Sequence, residues 1–85
     1  MMVQVQLTPT AAAELADLPA VIQARTFKVI RRLRNWPAVS GAKPLRHGLA
    51  GRYRIRTGDY RVQFFLQGQV LVVEKIGHRD GFYEE

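Results

Sequence analysis

The chain has 85 residues, of which 47% are hydrophobic and 24% are charged, and 13 basic residues against seven acidic ones give a net charge of +6. This composition predicts one globular domain over residues 1–85, and the absence of cysteine excludes a disulfide-stapled scaffold and a cysteine-ligated zinc site. No apolar run approaches the ~20 residues that span a membrane, and residues 1–6 are not the basic-then-apolar start of a signal peptide, so we expect a cytoplasmic protein that uses no metal or other cofactor.

A short strand and a helix begin the chain. Residues 3–7 alternate between apolar and polar side chains, which is typical of a strand with one buried face. Thr8 is suited to cap a helix, and Pro9 is suited to its first position. This helix is expected to run to about Asp17, because Pro19 disfavours helical backbone at the residue before it.

A second helix is predicted after Pro19. One side of it repeats at helical spacing and comprises Ile22, Thr26, Val29, Ile30 and Leu33. The opposite side is basic and carries Arg25, Lys28, Arg31 and Arg32. The sequence Asn35-Trp36-Pro37 ends this helix, so the two helices are expected to form an antiparallel hairpin.

The second half of the chain predicts a meander of three strands. A loop over residues 38–50, with a short strand within residues 43–46, leads to strands at residues 52–57, 60–66 and 70–76. Gly58-Asp59 is a two-residue hairpin turn, and either Gln67-Gly68 or Gly68-Gln69 forms the second. The predicted fold is α+β: a small antiparallel sheet of the N-terminal strand and the meander, with the helical hairpin on one face.

The first hairpin turn determines which side chains share a face of the sheet. If Gly58-Asp59 is the loop, Arg56 lies opposite Arg61. One face then forms core from Tyr53, Ile55, Val62 and Phe64, joined by Leu71 and Val73. The other face presents Arg52, Arg54, Arg56, Arg61 and Gln63. Like charges directly opposite each other destabilise a sheet by up to ~1 kcal/mol per pair, and Glu74 alone cannot neutralise this face, so we predict that it binds phosphate.

The distribution of charge favours nucleic acid as the partner. Residues 18–58 contain no acidic side chain, and ten of the 13 basic residues are arginine, whose planar guanidinium pairs well with phosphate. The cations expected to contact a nucleic-acid backbone are Arg25, Lys28, Arg31, Arg32, Lys43, Arg46 and Arg52. Near the C-terminus, Arg79 adds a cation, His78 is of a type that exchanges protons near neutral pH, and Tyr83 offers a ring for base stacking.

A resemblance to a known family joins these segments in one order. It rests on Pro44-Leu45, Gly51, Tyr53-Arg54-Ile55-Arg56, Gly58-Asp59-Tyr60-Arg61-Val62 and Gly77-His78-Arg79 with Tyr83. Over nearly its whole length, including the strand–helix–helix–meander order, the chain resembles the RelE-type toxins of bacterial toxin–antitoxin pairs. The resemblance implies an endoribonuclease that enters the A site of the 70S ribosome, cleaves the mRNA there and inhibits translation.

The resemblance also implies a mechanism and partners. In such toxins a ribose 2′-OH attacks the adjacent phosphate, which leaves a 2′,3′-cyclic phosphate and a free 5′-OH. The functional positions of the family fall on Arg54, Arg56, Arg61, Arg79 and Tyr83 of this chain. A cognate antitoxin protein is the expected partner, and contact with operator DNA is expected only through that antitoxin.

One departure from the family bears on proton transfer. The best-known member has lysines at the positions of Arg54, Arg56 and His78. Arginine stays protonated in proteins and cannot act as a base. We therefore expect the arginines to bind and polarise the phosphate, and His78, or water ordered by the ribosome, to transfer the proton, with Arg79 near the leaving group.

Two other functions fit parts of the sequence. A toxin of the related ParE type shares the fold but poisons DNA gyrase, although the basic sheet face with Arg79 and Tyr83 argues against this reading. A non-catalytic RNA-binding module, or an inactive toxin homologue, is also compatible, because no residue is an unambiguous general base. Such a module would bind RNA with a steep salt dependence and cleave nothing.

Overall fold

The computed structural model describes residues 2–81, apart from the side chain of His47, and within them it contains two α-helices and a five-stranded sheet. The elements are β1 Gln4–Leu7, α1 Pro9–Ala16, α2 Ala20–Arg32, β2 Lys43–Pro44, β3 Arg52–Thr57, β4 Tyr60–Gln67 and β5 Val70–His78. Short 3-10 helices lie in the connections at Leu33–Asn35 and His47–Leu49. The predicted α+β class and the order of its elements are confirmed.

The strands are arranged in the order β1-β5-β4-β3-β2. Strands β3, β4 and β5 form the predicted antiparallel meander, with turns at Gly58-Asp59 and Gly68-Gln69. β1 runs parallel to β5, so the sheet is mixed and the expectation of a wholly antiparallel sheet was wrong. A parallel pair needs a long crossover connection, and here the helices and the first two strands of the meander supply it.

The predicted helix signals are found at the ends of α1 and α2. The Thr8 Oγ1 accepts a hydrogen bond from the Ala11 N–H at 3.1 Å, and Pro9 occupies the first helical position. Asp17 caps the C-terminus of α1, and Pro19 immediately precedes α2. In the part of the chain that the structure describes, no helix has the length and apolar character needed to cross a membrane.

The hydrophobic core lies between the helices and one face of the sheet, with α1 packed mainly on β5 and α2 on β3. Its buried side chains are Ala11, Leu15, Val29, Ile30, Leu33, Ile55, Val62, Phe64, Leu71, Val73 and Ile76. Phe64 is fully buried, with its ring centroid 5.2 Å from that of Trp36 and 5.7 Å from that of Tyr53. Every core position that the first hairpin predicted therefore lies on the helix side of the sheet.

A β-bulge interrupts the pairing of β4 with β5. Gln63 pairs with Lys75, but the next residue, Phe64, pairs with Val73, so Glu74 is the extra residue on β5. A bulge of one residue reverses the alternation of faces along the bulged strand. Ile76 consequently lies opposite Val62 in the core rather than opposite a residue of the uncovered face.

The edge of β5 is completed by a side chain from α1. β1 ends at Leu7, opposite Val73, and the Thr8 N–H still donates to the Val73 carbonyl at 3.0 Å. Beyond this point the Ile76 N–H donates to Glu14 Oε1 at 2.8 Å. Glu14 thus provides the acceptor that a longer β1 would have provided.

Replacing Glu14 with alanine is expected to lower the free energy of unfolding by about 1–3 kcal/mol, because the part-buried Ile76 N–H loses its acceptor. Glu14→Gln keeps an amide oxygen at the same distance along the side chain and is expected to cost less. Urea denaturation of the two variants and the wild type measures the difference. Equal stability of Glu14→Ala and the wild type would show that this hydrogen bond contributes nothing.

Candidate nucleic-acid interface

The uncovered face of the sheet has the register that the Gly58-Asp59 turn predicts. Arg56 pairs with Arg61, and Arg54 pairs with Gln63. We call this surface the arginine face and define it by Arg52, Arg54, Arg56, Arg61 and Gln63. Because paired residues of an antiparallel ladder point to the same side, the side chains of Arg56 and Arg61 lie next to each other on this face.

The bulge brings one carboxylate onto the arginine face. Glu74 Oε2 accepts hydrogen bonds from Arg52 Nε at 2.7 Å and from Gln63 Nε2 at 2.9 Å. The Arg52 guanidinium also lies 5.2 Å from the centroid of the Phe65 ring, within the range of a cation–π contact. Glu74 therefore lies beside Gln63 and forms its ion pair with Arg52. The face therefore keeps a net positive charge around Arg54, Arg56 and Arg61.

A cavity opens between the arginine face and the edge of the sheet. Lys43 on β2 pairs with Arg54 on β3, so their side chains share this side of the sheet. The cavity has a volume of about 460 Å³ and is lined by Gly41, Lys43, Arg54, Arg56 and Gly58. We call it the cationic cavity. Its size is within the range of small-molecule sites, and three cations in its wall favour an anionic group such as phosphate.

Arg61 is held in place at an energetic cost. Among the described residues, its Nε is the buried side-chain nitrogen or oxygen that lacks a hydrogen-bond partner. A buried donor without an acceptor costs about 1–3 kcal/mol, and the facing Arg56 adds like-charge repulsion. An anion bound to this guanidinium would accept the hydrogen bond and reduce the repulsion between Arg56 and Arg61.

His78 lies on the other side of the sheet from the arginine face. It pairs with Tyr60, which shares the core-facing side of β4 with Val62, while Arg61 pairs with Gly77. The rings of His78 and Tyr60 contact each other with centroids 5.1 Å apart. His78 Nδ1 accepts a hydrogen bond from the Asp80 N–H at 3.1 Å. The structure does not bring His78 together with Arg54, Arg56 and Arg61.

Arg79 follows β5 and lies at the turn between β3 and β4. Its N–H donates to the Asp59 carbonyl at 2.7 Å, and its Nε lies 4.0 Å from Asp59 Oδ1 and 3.8 Å from Asp80 Oδ1. Arg79 is thus placed at the end of the sheet where Arg56 and Arg61 pair. Tyr83 lies outside the described residues.

The predicted RNA contacts on α2 form a second basic surface. Arg25, Lys28, Arg31 and Arg32 are all exposed on α2, and Arg46 is exposed after β2. A cavity of about 380 Å³ on α2 is lined by Lys28, Arg31, Arg32 and Asn35. Because α2 covers the core side of the sheet, the sheet and core separate this surface from the arginine face. The protein therefore presents cations on two opposite sides.

The sequence matches the model of one known protein family. The model of the ParE toxin of type II toxin–antitoxin systems matches residues 5–81. The chain belongs to this family. A comparison with curated proteins finds no significant match.

Solved structures place this toxin in the wider RelE/ParE superfamily. A chain of the toxin–antitoxin complex RelBE2 from Mycobacterium tuberculosis is similar, with a TM-score of 0.82 and 30% identity over 93% of this chain and 100% of that chain. The RelB–RelE complex from Methanococcus jannaschii gives a TM-score of 0.75 at 23% identity, over 92% of this chain and 94% of that chain. The isolated Escherichia coli RelE toxin gives 0.76 at 19%, over 89% of this chain and 83% of that chain. The last two likenesses show the shared fold.

Sequence reasoning missed one feature of the candidate site, the position of Lys43. It had been counted among general RNA contacts, whereas the structure places it in the wall of the cationic cavity beside Arg54. The signal was the predicted short strand within residues 43–46. The sequence did not show which strand β2 pairs with, because β2 and β3 are joined by a loop and not by a tight turn that fixes their register.

Proposed function

We propose that this toxin is a ribosome-dependent endoribonuclease that cleaves mRNA in the A site and thereby inhibits translation. The observation that carries the proposal is the facing pair Arg56 and Arg61, beside a cavity that Arg54 also lines. A sheet that opposes two arginines gives up stability, and a bound phosphate is the compensation that fits their geometry.

The proposed reaction is in-line attack of a ribose 2′-OH on the adjacent phosphorus. The 2′-O–P bond forms as the P–O5′ bond breaks, which gives a 2′,3′-cyclic phosphate and a 5′-OH. Negative charge gathers on the non-bridging oxygens in the transition state, and Arg54, Arg56 and Arg61 are placed to stabilise it. Arg79 lies at the adjoining turn between β3 and β4, and in this proposal it binds the RNA strand next to the scissile bond. His78 contacts Tyr60 on the other side of the sheet, so the proposal gives proton transfer to a group in the cationic cavity.

The two basic surfaces suit a protein that sits between two RNA strands. In this proposal the arginine face takes the mRNA, and the cations of α2 with Arg46 hold the phosphates of ribosomal RNA without reading sequence. A toxin at work on ribosomes acts in the cytoplasm. The proposed controlling partner is a cognate antitoxin, for which the exposed Val21 and Phe27 of α2 offer apolar contact, and operator DNA is reached through that antitoxin.

Primer extension on a reporter mRNA, with purified ribosomes stalled at a known codon, tests the nuclease. Wild-type toxin is expected to create a new 5′ end inside the A-site codon only when ribosomes are present. Arg56→Gln, which removes one cation of the cavity wall, is expected to slow cleavage about 10²-fold. Arg34→Gln removes the same charge from the 3-10 helix after α2 and serves as the matched control, expected to stay within about twofold of wild type.

A result without cleavage in that assay would contradict the proposal. Binding of RNA with a steep salt dependence but no cut would identify a non-catalytic binding module.

Inhibition of DNA gyrase is the second candidate, because the matching family model is that of ParE toxins. Pulse labelling in cells separates the two functions. Loss of methionine incorporation soon after induction supports the ribosome as target. Loss of thymidine incorporation with an SOS response supports gyrase.

A further inference from the structure

The proposed cleavage needs a group that can release a proton to the leaving oxygen. Three charged side chains line the cationic cavity, those of Lys43, Arg54 and Arg56. A guanidinium stays protonated in proteins, whereas an ammonium group can donate one of its three protons. Of these three cations, Lys43 is therefore the one with the chemistry of a proton donor.

The backbone holds Lys43 at the reacting side of the sheet. Lys43 pairs with Arg54 in the β2–β3 ladder. The ladder is extended just beyond β2, where the Leu45 N–H donates to the Arg52 carbonyl at 2.8 Å. Arg56 lies two residues beyond Arg54 on the same face. The side chain of Lys43 is exposed, and Gly41 and Gly58, which also line the cavity, add no side chain in front of it. A strand of RNA can therefore reach the ammonium group without movement of the backbone.

The other side chains near the arginine face that can exchange protons are held by other contacts or lie outside the cationic cavity. The Glu74 carboxylate accepts from Arg52 and Gln63. His78 packs against Tyr60 on the core side and accepts from the Asp80 N–H. Lys75 pairs with Gln63 and shares its side of the sheet, but β4 and β3 lie between it and β2, and it does not line the cavity.

We propose that Lys43 is a catalytic residue that protonates the 5′ oxygen as it leaves, an inference that rests on the proposed nuclease function. The 2′-O–P bond forms and the proton of the 2′-OH passes to water. The P–O5′ bond breaks and the 5′ oxygen takes a proton from the Lys43 ammonium group, which solvent then reprotonates. Loss of this proton leaves a neutral amine beside Arg54 and Arg56, so the step also relieves like-charge repulsion in the cavity wall.

The test separates the proton of Lys43 from its charge. Lys43→Arg keeps the cation but replaces the ammonium group with a guanidinium, which does not give up a proton, and Lys75→Arg makes the same change on the arginine face outside the cavity. Each variant is assayed on stalled ribosomes with a normal mRNA and with one that carries a bridging sulfur in place of the scissile 5′ oxygen. A thiolate leaves without protonation, so the sulfur substrate bypasses a missing acid.

Lys43→Arg is expected to cleave the normal mRNA about 10²-fold more slowly than wild type and the sulfur mRNA at nearly the wild-type rate. Lys75→Arg lies on the arginine face beside Gln63 but outside the cavity wall, so it is expected to affect the two substrates equally. Circular dichroism and thermal melting of both variants exclude loss of folding as the cause.

Each contrary result overturns a defined part of the proposal. Full activity of Lys43→Arg on the normal mRNA would remove Lys43 from the chemistry while leaving the nuclease intact. Equal slowing on both substrates would overturn its role as the acid. Absence of cleavage by the wild type would overturn the nuclease and Lys43 with it.

Discussion

Arg61→Met is expected to slow A-site cleavage by about 10²–10³-fold and at the same time to raise the stability of the protein by about 1 kcal/mol. Cleavage falls because a cation beside the phosphate is lost. Stability rises because methionine removes both the charge that faces Arg56 and the buried Nε that has no acceptor. Because the two expected effects have opposite signs, measuring both separates a role of Arg61 in phosphate binding from a role in the fold.

Single-turnover primer extension measures the first effect, and urea denaturation at one ionic strength measures the second. Arg34→Met is the matched control, since it removes an exposed arginine outside both basic surfaces and is expected to change neither quantity by much. A variant at position 61 that is less stable than wild type would mean that Arg61 supports the fold. Its lost activity could then not be assigned to phosphate binding.

Phe64→Ala is expected to lower the free energy of unfolding by about 3–5 kcal/mol, a large part of the 5–15 kcal/mol typical of a whole domain. Phe64 is fully buried and contacts the rings of Trp36 and Tyr53. Its loss leaves a cavity beneath β3 and β4, the two strands that carry the arginine face. We expect toxicity in cells to fall with the folded fraction, as measured by chemical denaturation and growth assays.

Phe65→Ala provides the comparison for this core prediction. Phe65 is the next residue on β4, but it points to the other side of the sheet, where it is half-buried under the Arg52 guanidinium. Loss of this contact and of partial burial is expected to cost about 1–2 kcal/mol. Equal costs at the two positions would contradict the placement of the core on the helix side alone.

The two faces of the sheet contribute differently to stability. The helix side buries apolar side chains from every strand except β2 and supplies the favourable energy of folding. The uncovered side opposes Arg56 to Arg61, and the buried Arg61 Nε lacks a hydrogen-bond partner among the residues that the structure describes. The Glu74 carboxylate reduces the repulsion between like charges by pairing with Arg52. The arginine face as a whole keeps a net positive charge.

The amino-acid sequence by itself determined the features that depend on neighbours along the chain. The Thr8-Pro9 cap, the helical spacing of α2 and the Gly58-Asp59 turn are local signals, and the turn together with the two-residue period of a strand predicted that Arg56 opposes Arg61. The family resemblance, carried by these same segments, was confirmed by the ParE model and by the RelE structures.

Only the tertiary structure decided the pairings between segments with no turn of fixed length between them. It set β1 parallel to β5 and placed β2 beside β3, which brought Lys43 to Arg54. The tertiary structure also makes Glu74 an extra residue on β5. This bulge reverses the faces of the residues that follow it, so His78 lies on the same side of the sheet as Tyr60. A single bulge exchanges the faces of every residue after it, and its position is chosen by packing of Ile76 into the core rather than by any local signal.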